Sequence, residues 1–238
     1  MKTNSDIHLS IIIACYNEEP HLIQSVKAIE EVMEHAVYKY ELIFIDDFSR
    51  DGTKEKIKEI CRGKQNYRYY FHEKNVGRGG TVREGLLLAK GNYAGFLDID
   101  LEVSADYIPS MIQSLEKGYD AAIGYRFYDI LQFNGIIRAV LSLCYRLLTR
   151  YYLKINIHDT EAGYKFFNLS ATKEIINKTK NNKWFWDTEI VFELIRNKKK
   201  IKEIPCTFLR KKDKKSTVRL IPDIIDYFNA IIEFKKNN

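Results

Sequence analysis

Three acidic residues near the middle of the chain are spaced two apart in the segment FLDIDLE. Asp98, Asp100 and Glu102 follow a short apolar run, and alternate residues of an extended segment point to the same side. Three carboxylates placed in this way can hold one hard cation, Mg²⁺ or Mn²⁺. Such a cation would bridge a nucleotide's diphosphate and offset the charge that grows on it as a sugar leaves. The spacing therefore predicts a metal site, with ordinary turn-forming acids as the alternative.

A glycine-rich segment, NVGRGG, leads into a stretch with helical periodicity. Glycine lets the backbone approach a ligand closely, and the start of a helix favours an anion. Gly77 and Arg78 are therefore candidates for binding the phosphates of a nucleotide sugar. A tight turn without a ligand is the alternative reading.

Short apolar runs alternate with helix-like stretches in the first half of the chain. This alternation predicts an α/β, Rossmann-like fold with a mostly parallel sheet and helices on both faces. Ligands bind such sheets beyond the carboxyl ends of the strands, where the segments CYNE, DD and DID fall. The predicted strands are 9–14, 41–46, 67–72 and 93–98, and the predicted helices are 20–34, 53–61, 78–89 and 106–117.

The second half of the chain is less regular. Residues 135–155 predict a long helix without acidic residues, in which basic or small polar residues recur every four positions. A basic amphipathic helix of this type is typical of a membrane interface, and a core helix with one solvated face is the alternative. Further helices are predicted over 188–197 and 221–235, and a strand over 202–209.

Composition predicts one domain in a reducing compartment. A chain of 238 residues with 45% hydrophobic content can bury one sizeable core, and no linker or repeat divides it. We expect residues 1–125 to bind the nucleotide sugar and residues 126–238 to face the acceptor. The four cysteines lack the short paired spacing of metal or disulfide sites. No apolar run predicts a signal peptide or a membrane span.

Positive charge is concentrated late in the chain. The net charge is +6, but residues 196–219 alone carry +9. This asymmetry predicts an anionic partner, either phosphate groups or an acidic membrane surface, with a solvated charged face as the alternative. No motif supports a nucleic-acid partner.

In chain order, several segments resemble family 2 of the inverting glycosyltransferases, which have the GT-A fold. These segments are SIIIACYNEE, LIFIDDFSRDGT, NVGRGGTVREGLLLAKGNY and FLDIDLE, and the resemblance covers nearly the whole chain. Later segments are similar to the polyprenyl-phosphate members, which include the dolichyl-phosphate mannose and glucose transferases. They are GYR, HDTEAGYKFF, WFWDTEI and EIPCTFLRKKDKKSTVR. The segments GRGGTVREG and DTEAGYKFF are slightly more similar to those of the glucosyl branch.

The resemblance implies roles for the matching residues of this chain. For the nucleoside it implies Ala14, Tyr16, Glu18 and Asp47; for the nucleotide and metal, Asp98; and for the metal, Asp100 and Glu102. For the phosphate of a lipid acceptor it implies Arg126, Arg138 and Ser142, and for a position near the diphosphate, Arg210. Surface ion pairs are the alternative for Arg126 and Arg138.

Two positions depart from the family pattern. Phe48 stands where the family usually has glycine after its paired aspartates, and Lys214-Lys215-Ser216 replaces a Gly-Ser pair. The geometry of both loops is therefore open at the level of sequence.

The acceptor decides whether the reaction needs a general base. A hydroxyl acceptor must lose a proton, and Asp159, Asp187 and Glu189 are the candidate bases. Asp187 and Glu189 also fit as acids in the first turn of a helix. A polyprenyl phosphate is already anionic, so positioning and cations can replace the base.

The leading hypothesis is transfer of a hexose from a UDP- or GDP-linked sugar to a polyprenyl phosphate, with inversion and with Mg²⁺ or Mn²⁺. We expect the protein to be peripheral on the cytosolic face of a membrane, and leave open a membrane partner subunit or a homo-oligomer. One alternative is transfer to a glycan hydroxyl in capsule or lipopolysaccharide assembly. Another is a non-catalytic protein that binds nucleotide sugars or acts as a membrane scaffold.

Overall fold

The computed structural model describes residues 7–128, 145–209 and 230–236. Its strands form a seven-stranded sheet in the order β3-β2-β1-β4-β6-β5-β7. They are β1 (Leu9–Cys15), β2 (Tyr40–Asp46), β3 (Tyr67–Phe71), β4 (Tyr93–Leu97), β5 (Ala121–Tyr128), β6 (Tyr164–Asn168) and β7 (Ile201–Phe208).

Strand β6 is antiparallel to both of its neighbours, β4 and β5. The other pairs in the sheet are parallel. The carboxyl ends of six strands therefore lie at one edge of the sheet together with the amino end of β6. We call this the carboxyl edge.

Helices cover both faces of this sheet. They are α1 (Leu22–Glu34), α2 (Thr53–Cys61), α3 (Arg78–Leu88), α4 (Ile108–Glu116), α5 (residues 145–152), α6 (Leu169–Lys178), α7 (Trp186–Arg196) and α8 (residues 230–236). Side chains of α1, α2 and α4 form one buried apolar cluster, and those of α3, α6, α7 and α8 form another.

Strand β1 shows why the sheet is covered on both faces. Ile11 and Ile13 belong to the first cluster, whereas Ile12 belongs to the second. Successive side chains of a strand point to opposite faces, so a strand buried on both sides is an uninterrupted apolar run. The predicted α/β architecture, mostly parallel with helices on both faces, is confirmed.

The four strands and four helices predicted in the first half are present, with ends that differ by one or two residues. The helix predicted at 188–197 begins at Trp186, and the strand predicted at 202–209 is β7. Strands β5 and β6 and helix α6 were not predicted. Lys165, the second residue of strand β6, interrupts the apolar pattern, yet this lysine is fully buried.

The predicted helix over 135–155 is described only from residue 145. There it ends at residue 152 rather than 155, because Lys154 has a φ of 56° and turns the chain. Leu153 and Ile155 then enter the buried cluster of α3, α6 and α7. Leu147 and Tyr151 are 54% and 83% exposed, so α5 packs on one side and presents apolar side chains on the other.

Of the helix predicted over 221–235, residues 230–236 are described and are helical. Cys15, Cys61 and Cys206 are buried thiols without disulfide bonds, and Cys144 lies outside the described residues. In the described part of the chain, no helix is both long and apolar enough to cross a bilayer.

Candidate active site

The loops that follow β1 and β2 are joined at the carboxyl edge. Asn17 has a φ of 56°; its backbone N–H donates to Ser49 Oγ at 2.8 Å, and its side-chain oxygen accepts from Arg50 N at 2.9 Å. The backbone N–H of Glu18 donates to Thr53 Oγ1 at 2.9 Å. These bonds fix the segment with the predicted nucleoside-binding residues, and they leave the Tyr16 side chain 44% exposed.

Phe48 takes a backbone conformation that favours glycine, with a φ of 67°. A bulky residue is strained in this region. The Lys54 ammonium lies 5.4 Å from the centre of the Phe48 ring, so a cation–π contact accompanies the strained backbone. The loop therefore keeps the turn expected of glycine although glycine is absent.

Asp47 holds the glycine-rich loop. Its two carboxylate oxygens accept from Val76 N at 2.7 Å and Gly77 N at 2.9 Å, and His72 Nδ1 lies 2.9 Å from Oδ1. Gly77 has a φ of 93°, and a Cβ on it would lie 2.4 Å from the carbonyl oxygen of Asn182. The resemblance implies that Asp47 contacts the nucleoside; in the structure its carboxylate also positions the loop that enters α3.

Arg78 binds two carboxylates that are far apart in sequence, those of Asp98 and Asp187. Its Nη2 donates to Asp98 Oδ1 at 2.7 Å, and its Nη1 donates to Asp187 Oδ2. The guanidinium lies 5.5 Å from the Phe96 ring centre and 5.2 Å from that of Trp184. The Arg78 side chain is 15% exposed and that of Asp98 is 51% exposed, so this pair lies at the surface of the site.

Asp187, which pairs with Arg78, also forms a buried ion pair with Lys165. Lys165 Nζ donates to Asp187 Oδ1 at 2.7 Å and also to the carbonyl oxygen of Ala162. Burial lowers the pKa of Lys165, although the charge of Asp187 opposes that shift. A buried cation needs such partners, and this explains a lysine inside β6.

Arg126 and Asp159 form a second ion pair at the end of β5. Arg126 Nε and Nη2 donate to the two carboxylate oxygens at 2.6 and 3.0 Å. Burial alone would raise the pKa of Asp159, but the charge and hydrogen bonds of Arg126 outweigh it, so the pKa is lowered. Asp159 is therefore held as an anion with little tendency to accept a proton.

Asp187 and Glu189 both lie in the first turn of α7. Glu189 accepts from Lys180 N at 2.9 Å and Asn181 N at 2.8 Å, so it secures the loop before the helix. Neither acid caps the helix: Asp187 pairs with Arg78 and Lys165, and Glu189 binds the preceding loop. Their role in the reaction remains a proposal.

The segment FLDIDLE, which carries the three predicted carboxylates, does not stay extended. Strand β4 ends at Leu97, and Leu101 has a φ of 49°, so the segment turns instead of continuing as a strand. Asp100 is 8% exposed and its Oδ1 accepts from Glu102 N at 3.2 Å. Among the described residues, no group of three or more His, Cys, Asp or Glu side chains is placed to hold a metal ion.

The turn after Asp100 is joined to the end of β7. Leu209 N donates to Glu102 O at 2.8 Å, and a β-bridge connects Val103 with Phe208. The predicted Arg210 follows directly in sequence, but it lies outside the described residues, as do Arg138, Ser142 and the Lys214-Lys215-Ser216 segment.

The sequence reading missed two charged residues of this edge, Glu161 and Lys165. Both lie in HDTEAGYKFF, and the signal that could have revealed Lys165 is a lysine between apolar and aromatic residues of a short run. A surface cavity lined by Lys90, Leu169 and Asn197 lies at the opposite edge of the sheet, and no predicted site residue lines it.

Gly163 lets β6 approach the site closely. A Cβ on this residue would lie 2.0 Å from Asp98 Oδ2 and 2.5 Å from Arg78 Nη2, both at the ends of flexible side chains. We expect Gly163→Ala to displace the Asp98 carboxylate while the protein stays folded. The sugar transfer implied by the sequence resemblance should fall about a hundredfold. Transfer rates and thermal unfolding of the purified variant measure the two effects.

Gly118→Ala is the matched control, because Gly118 has a φ of 91° and a Cβ there meets no atom within 4 Å. It should cost about 1 kcal/mol of stability through backbone strain and leave transfer unchanged. Equal transfer by Gly163→Ala and the unmodified protein would contradict the placement of Asp98.

The fold is that of GT-A glycosyltransferases. The family model described as glycosyl transferase family 2 matches residues 10–176, and the chain belongs to this family.

Two curated relatives align over most of the chain. Glycosyltransferase AglD of Haloferax volcanii is 27% identical over 234 residues, which is 97% of this chain and 37% of AglD. Dolichyl-phosphate beta-glucosyltransferase of Saccharomyces cerevisiae is 27% identical over 226 residues, which is 86% of this chain and 68% of that protein. The chain thus spans little more than a third of the length of AglD.

A solved structure shares the fold. Glucosyl-3-phosphoglycerate synthase from Mycobacterium tuberculosis, in complex with Mn²⁺, UDP and phosphoglyceric acid, superposes with a TM-score of 0.70 at 16% identity. The match covers 95% of this chain and 76% of that chain.

Proposed function

We propose that this protein transfers a hexose, glucose in the first instance, from a nucleoside-diphosphate sugar to a polyprenyl phosphate with inversion. The family and the name of the yeast relative support this proposal. The structural observation that carries it concerns the three acids predicted as bases. Asp159 and Asp187 are ion-paired with Arg126 and Lys165, and Glu189 accepts two backbone N–H groups.

A carboxylate stabilised by a cation is a weak base. A phosphate acceptor is already ionised and needs no base, whereas a glycan hydroxyl does. The lowered pKa of Asp159, together with the contacts that occupy Asp187 and Glu189, therefore favours a phosphate acceptor. Arg126 lies at the carboxyl edge where such a phosphate would bind, and the sequence resemblance assigns Arg138 and Ser142, outside the described residues, to the same phosphate.

For the donor, we propose that the nucleoside binds along the loop of Ala14, Tyr16 and Glu18. Asp98 and Asp100 would hold Mg²⁺ or Mn²⁺, with Glu102 as a third oxygen ligand. Magnesium is commonly held by one or two carboxylates together with substrate phosphates and water, so the half-exposed Asp98 beside Asp100 fits the ion without an all-protein cluster. A bound cation would supply charge neutralisation at the diphosphate. Asp47 would act by holding the glycine-rich loop.

The test is an assay with UDP-glucose or GDP-mannose and a polyprenyl phosphate in detergent. We expect a lipid-linked sugar with UDP-glucose, of β configuration because the donor is α-linked. The matched acceptor is the same polyprenol without phosphate, which should give no product. Product from an oligosaccharide acceptor but none from lipid phosphate would select the hydroxyl alternative. The absence of nucleoside diphosphate release with every donor would select the non-catalytic alternative.

We further propose that the protein binds the cytosolic face of a membrane peripherally through α5. Its exposed Leu147 and Tyr151 lie beside Arg146 and Arg150, and each basic residue near an anionic leaflet contributes about 1 kcal/mol. We expect co-sedimentation with anionic but not neutral liposomes, weakened by high salt and by the double change Arg146→Glu with Arg150→Glu.

The control for this prediction makes the same charge change on α6. Lys173→Glu with Lys178→Glu alters two exposed lysines and should bind anionic liposomes nearly as well as the unmodified protein. Undiminished binding by the α5 variant would show that this surface does not contact the membrane. A membrane partner subunit would then be the route to the lipid.

A further inference from the structure

Glu161 lies between the two ion pairs of the carboxyl edge. It precedes β6, and its backbone N–H donates to Asp159 Oδ1 at 3.1 Å. Its side chain is 23% exposed, and Oε2 lies 3.9 Å from Arg126 Nη2, which is beyond hydrogen-bonding distance. The carboxyl group thus borders the proposed phosphate site while making only a distant contact with its arginine.

The charges around Glu161 come from β5, β6, α7 and the segment that precedes β6. Arg126 of β5 and Lys165 of β6 are positive, whereas Asp159 and Asp187 are negative. Burial and the charge of Glu161 both raise the pKa of Tyr145 on α5. Both aspartates have a closer cation than Glu161 has, at 2.6 Å for Asp159 and 2.7 Å for Asp187. The least compensated acid of this group is therefore Glu161.

This arrangement sets the protonation of Glu161. Burial raises its pKa to about 7, Arg126 and Lys165 act to lower it, and Asp159 and Asp187 act to raise it further. At neutral pH the side chain is close to the midpoint between a carboxylate and an uncharged carboxylic acid, which can donate a hydrogen bond.

We propose that Glu161 controls access of an anionic phosphate acceptor to Arg126, because its uncharged form admits the phosphate and its carboxylate form repels it. The carboxylate competes for the same guanidinium and places a second negative charge beside the phosphate. The uncharged acid does neither and can donate to a phosphate oxygen. This inference rests on the proposed function, and it gives Glu161 the opposite role from that of a general base.

The sign of the pH dependence follows by linkage. If the phosphate binds the protonated protein, binding takes up protons, and the apparent KM for the acceptor rises about tenfold per pH unit once pH exceeds 7. The second ionisation of a phosphate monoester, with a pKa near 6, is nearly complete in that range. The ionisation of the acceptor phosphate affects the unmodified protein and a variant that cannot ionise at position 161 alike, so a comparison of the two removes it.

Glu161→Gln is the variant that tests the proposal, since glutamine keeps the size and cannot ionise. We expect its acceptor KM to stay near the low-pH value from pH 6 to 9, whereas that of the unmodified protein rises at least tenfold. The donor KM should not follow this pattern. Glu203→Gln on β7, which removes a carboxyl group paired with the exposed His158, should keep the unmodified pH dependence. A folded Glu161→Gln variant that is inactive at every pH would overturn the proposal and identify a base.

Two measurements separate this inference from the proposed function. The first is urea unfolding without any ligand. The folded pKa exceeds that of the unfolded chain, so Glu161 should lower stability as pH rises from about 4.5 to 7, and Glu161→Gln should gain stability relative to the unmodified protein over that window. Identical pH profiles for the two proteins would overturn the assigned protonation.

The second measurement is calorimetric binding of dodecyl phosphate in the presence of UDP, from pH 6 to 9. Binding by the unmodified protein should weaken at least tenfold, and binding by Glu161→Gln should change less than threefold. If this pattern holds but no lipid-linked sugar is formed, the proposed function fails and the Glu161 inference stands. If lipid-linked sugar is formed and the pattern is absent, the Glu161 inference alone is overturned.

Discussion

Replacing Asp100 with alanine is expected to lower sugar transfer about a thousandfold, or roughly 4 kcal/mol in the activation barrier. The change removes a carboxylate from the proposed cation site. It also removes the acceptor for Glu102 N, which lies 3.2 Å from Asp100 Oδ1 in the turn that is joined to the end of β7. Both losses fall on the turn that Leu209 and Phe208 join to the end of β7.

Asp100→Asn separates these two effects. Asparagine keeps an oxygen for the Glu102 backbone N–H but loses the charge, so it should preserve the turn and still lose most of the transfer. Glu102→Gln should only weaken transfer, about tenfold or less, because Glu102 is proposed only as a third ligand and an amide oxygen can still act as one. Rates with and without a chelator, and calorimetric binding of Mn²⁺ in the presence of UDP, measure the outcome. Full activity of Asp100→Ala, or activity indifferent to the chelator, would contradict the metal proposal.

The nucleotide half of the fold could be predicted because its signals are local. Each of β1, β2 and β4 is a short apolar run, and each is followed by a polar loop and a helix with a regular period. The sequence therefore predicts that the loops with Tyr16, Asp47 and Asp98 lie at one edge of the sheet. The helices between these strands are the crossover connections that parallel strands need.

The second half depends on contacts between residues far apart in sequence. Lys165 breaks the apolar pattern of β6, and only its pairing with Asp187, 22 residues later, makes burial favourable. Asp159 and Arg126 are 33 residues apart, so no spacing rule could show that this candidate base is held as an ion pair.

A backbone turn explains why the segment with Asp98, Asp100 and Glu102 differs from the extended segment that the sequence predicts. Alternation of carboxylates on one side holds only while the chain stays extended, and the left-handed conformation of Leu101 ends that condition between Asp100 and Glu102. Local sequence gives no strong sign of such a conformation for leucine. The turn of Phe48 is similar, since glycine would have signalled it and phenylalanine does not.

The last prediction concerns Asp187, which joins the core of the protein to its site. Asp187 is 2% exposed and Lys165 is fully buried, while Arg78 connects Asp187 to Asp98. Asp187→Ala leaves a buried ammonium without its carboxylate, and breaking a buried pair in this way costs about 3–5 kcal/mol. We expect thermal unfolding about 10 °C lower, and loss of transfer because Arg78 no longer has its inner anchor.

The stability that Asp187→Ala loses should depend on pH. Without Asp187, burial should lower the pKa of Lys165 further below that of the unfolded chain, so the unfolded state binds more protons over this range. Stability of Asp187→Ala should therefore rise with pH, and its deficit against the unmodified protein should be largest in acid. Urea unfolding from pH 6 to 9 measures this difference. A deficit that grows with pH would contradict a charged Lys165 in the folded protein.

A double variant distinguishes the role of this pair in folding from its role in transfer. Lys165→Met with Asp187→Leu replaces both charges by apolar side chains, which commonly restores stability where a single change does not. Transfer should remain low, because Arg78 still lacks its anchor to α7. Glu193→Ala on the same helix removes a more exposed ion pair with Arg196 and should cost less than about 1 kcal/mol. If the double variant recovers both stability and transfer, Asp187 serves the fold alone, and Arg78 holds Asp98 without help from α7.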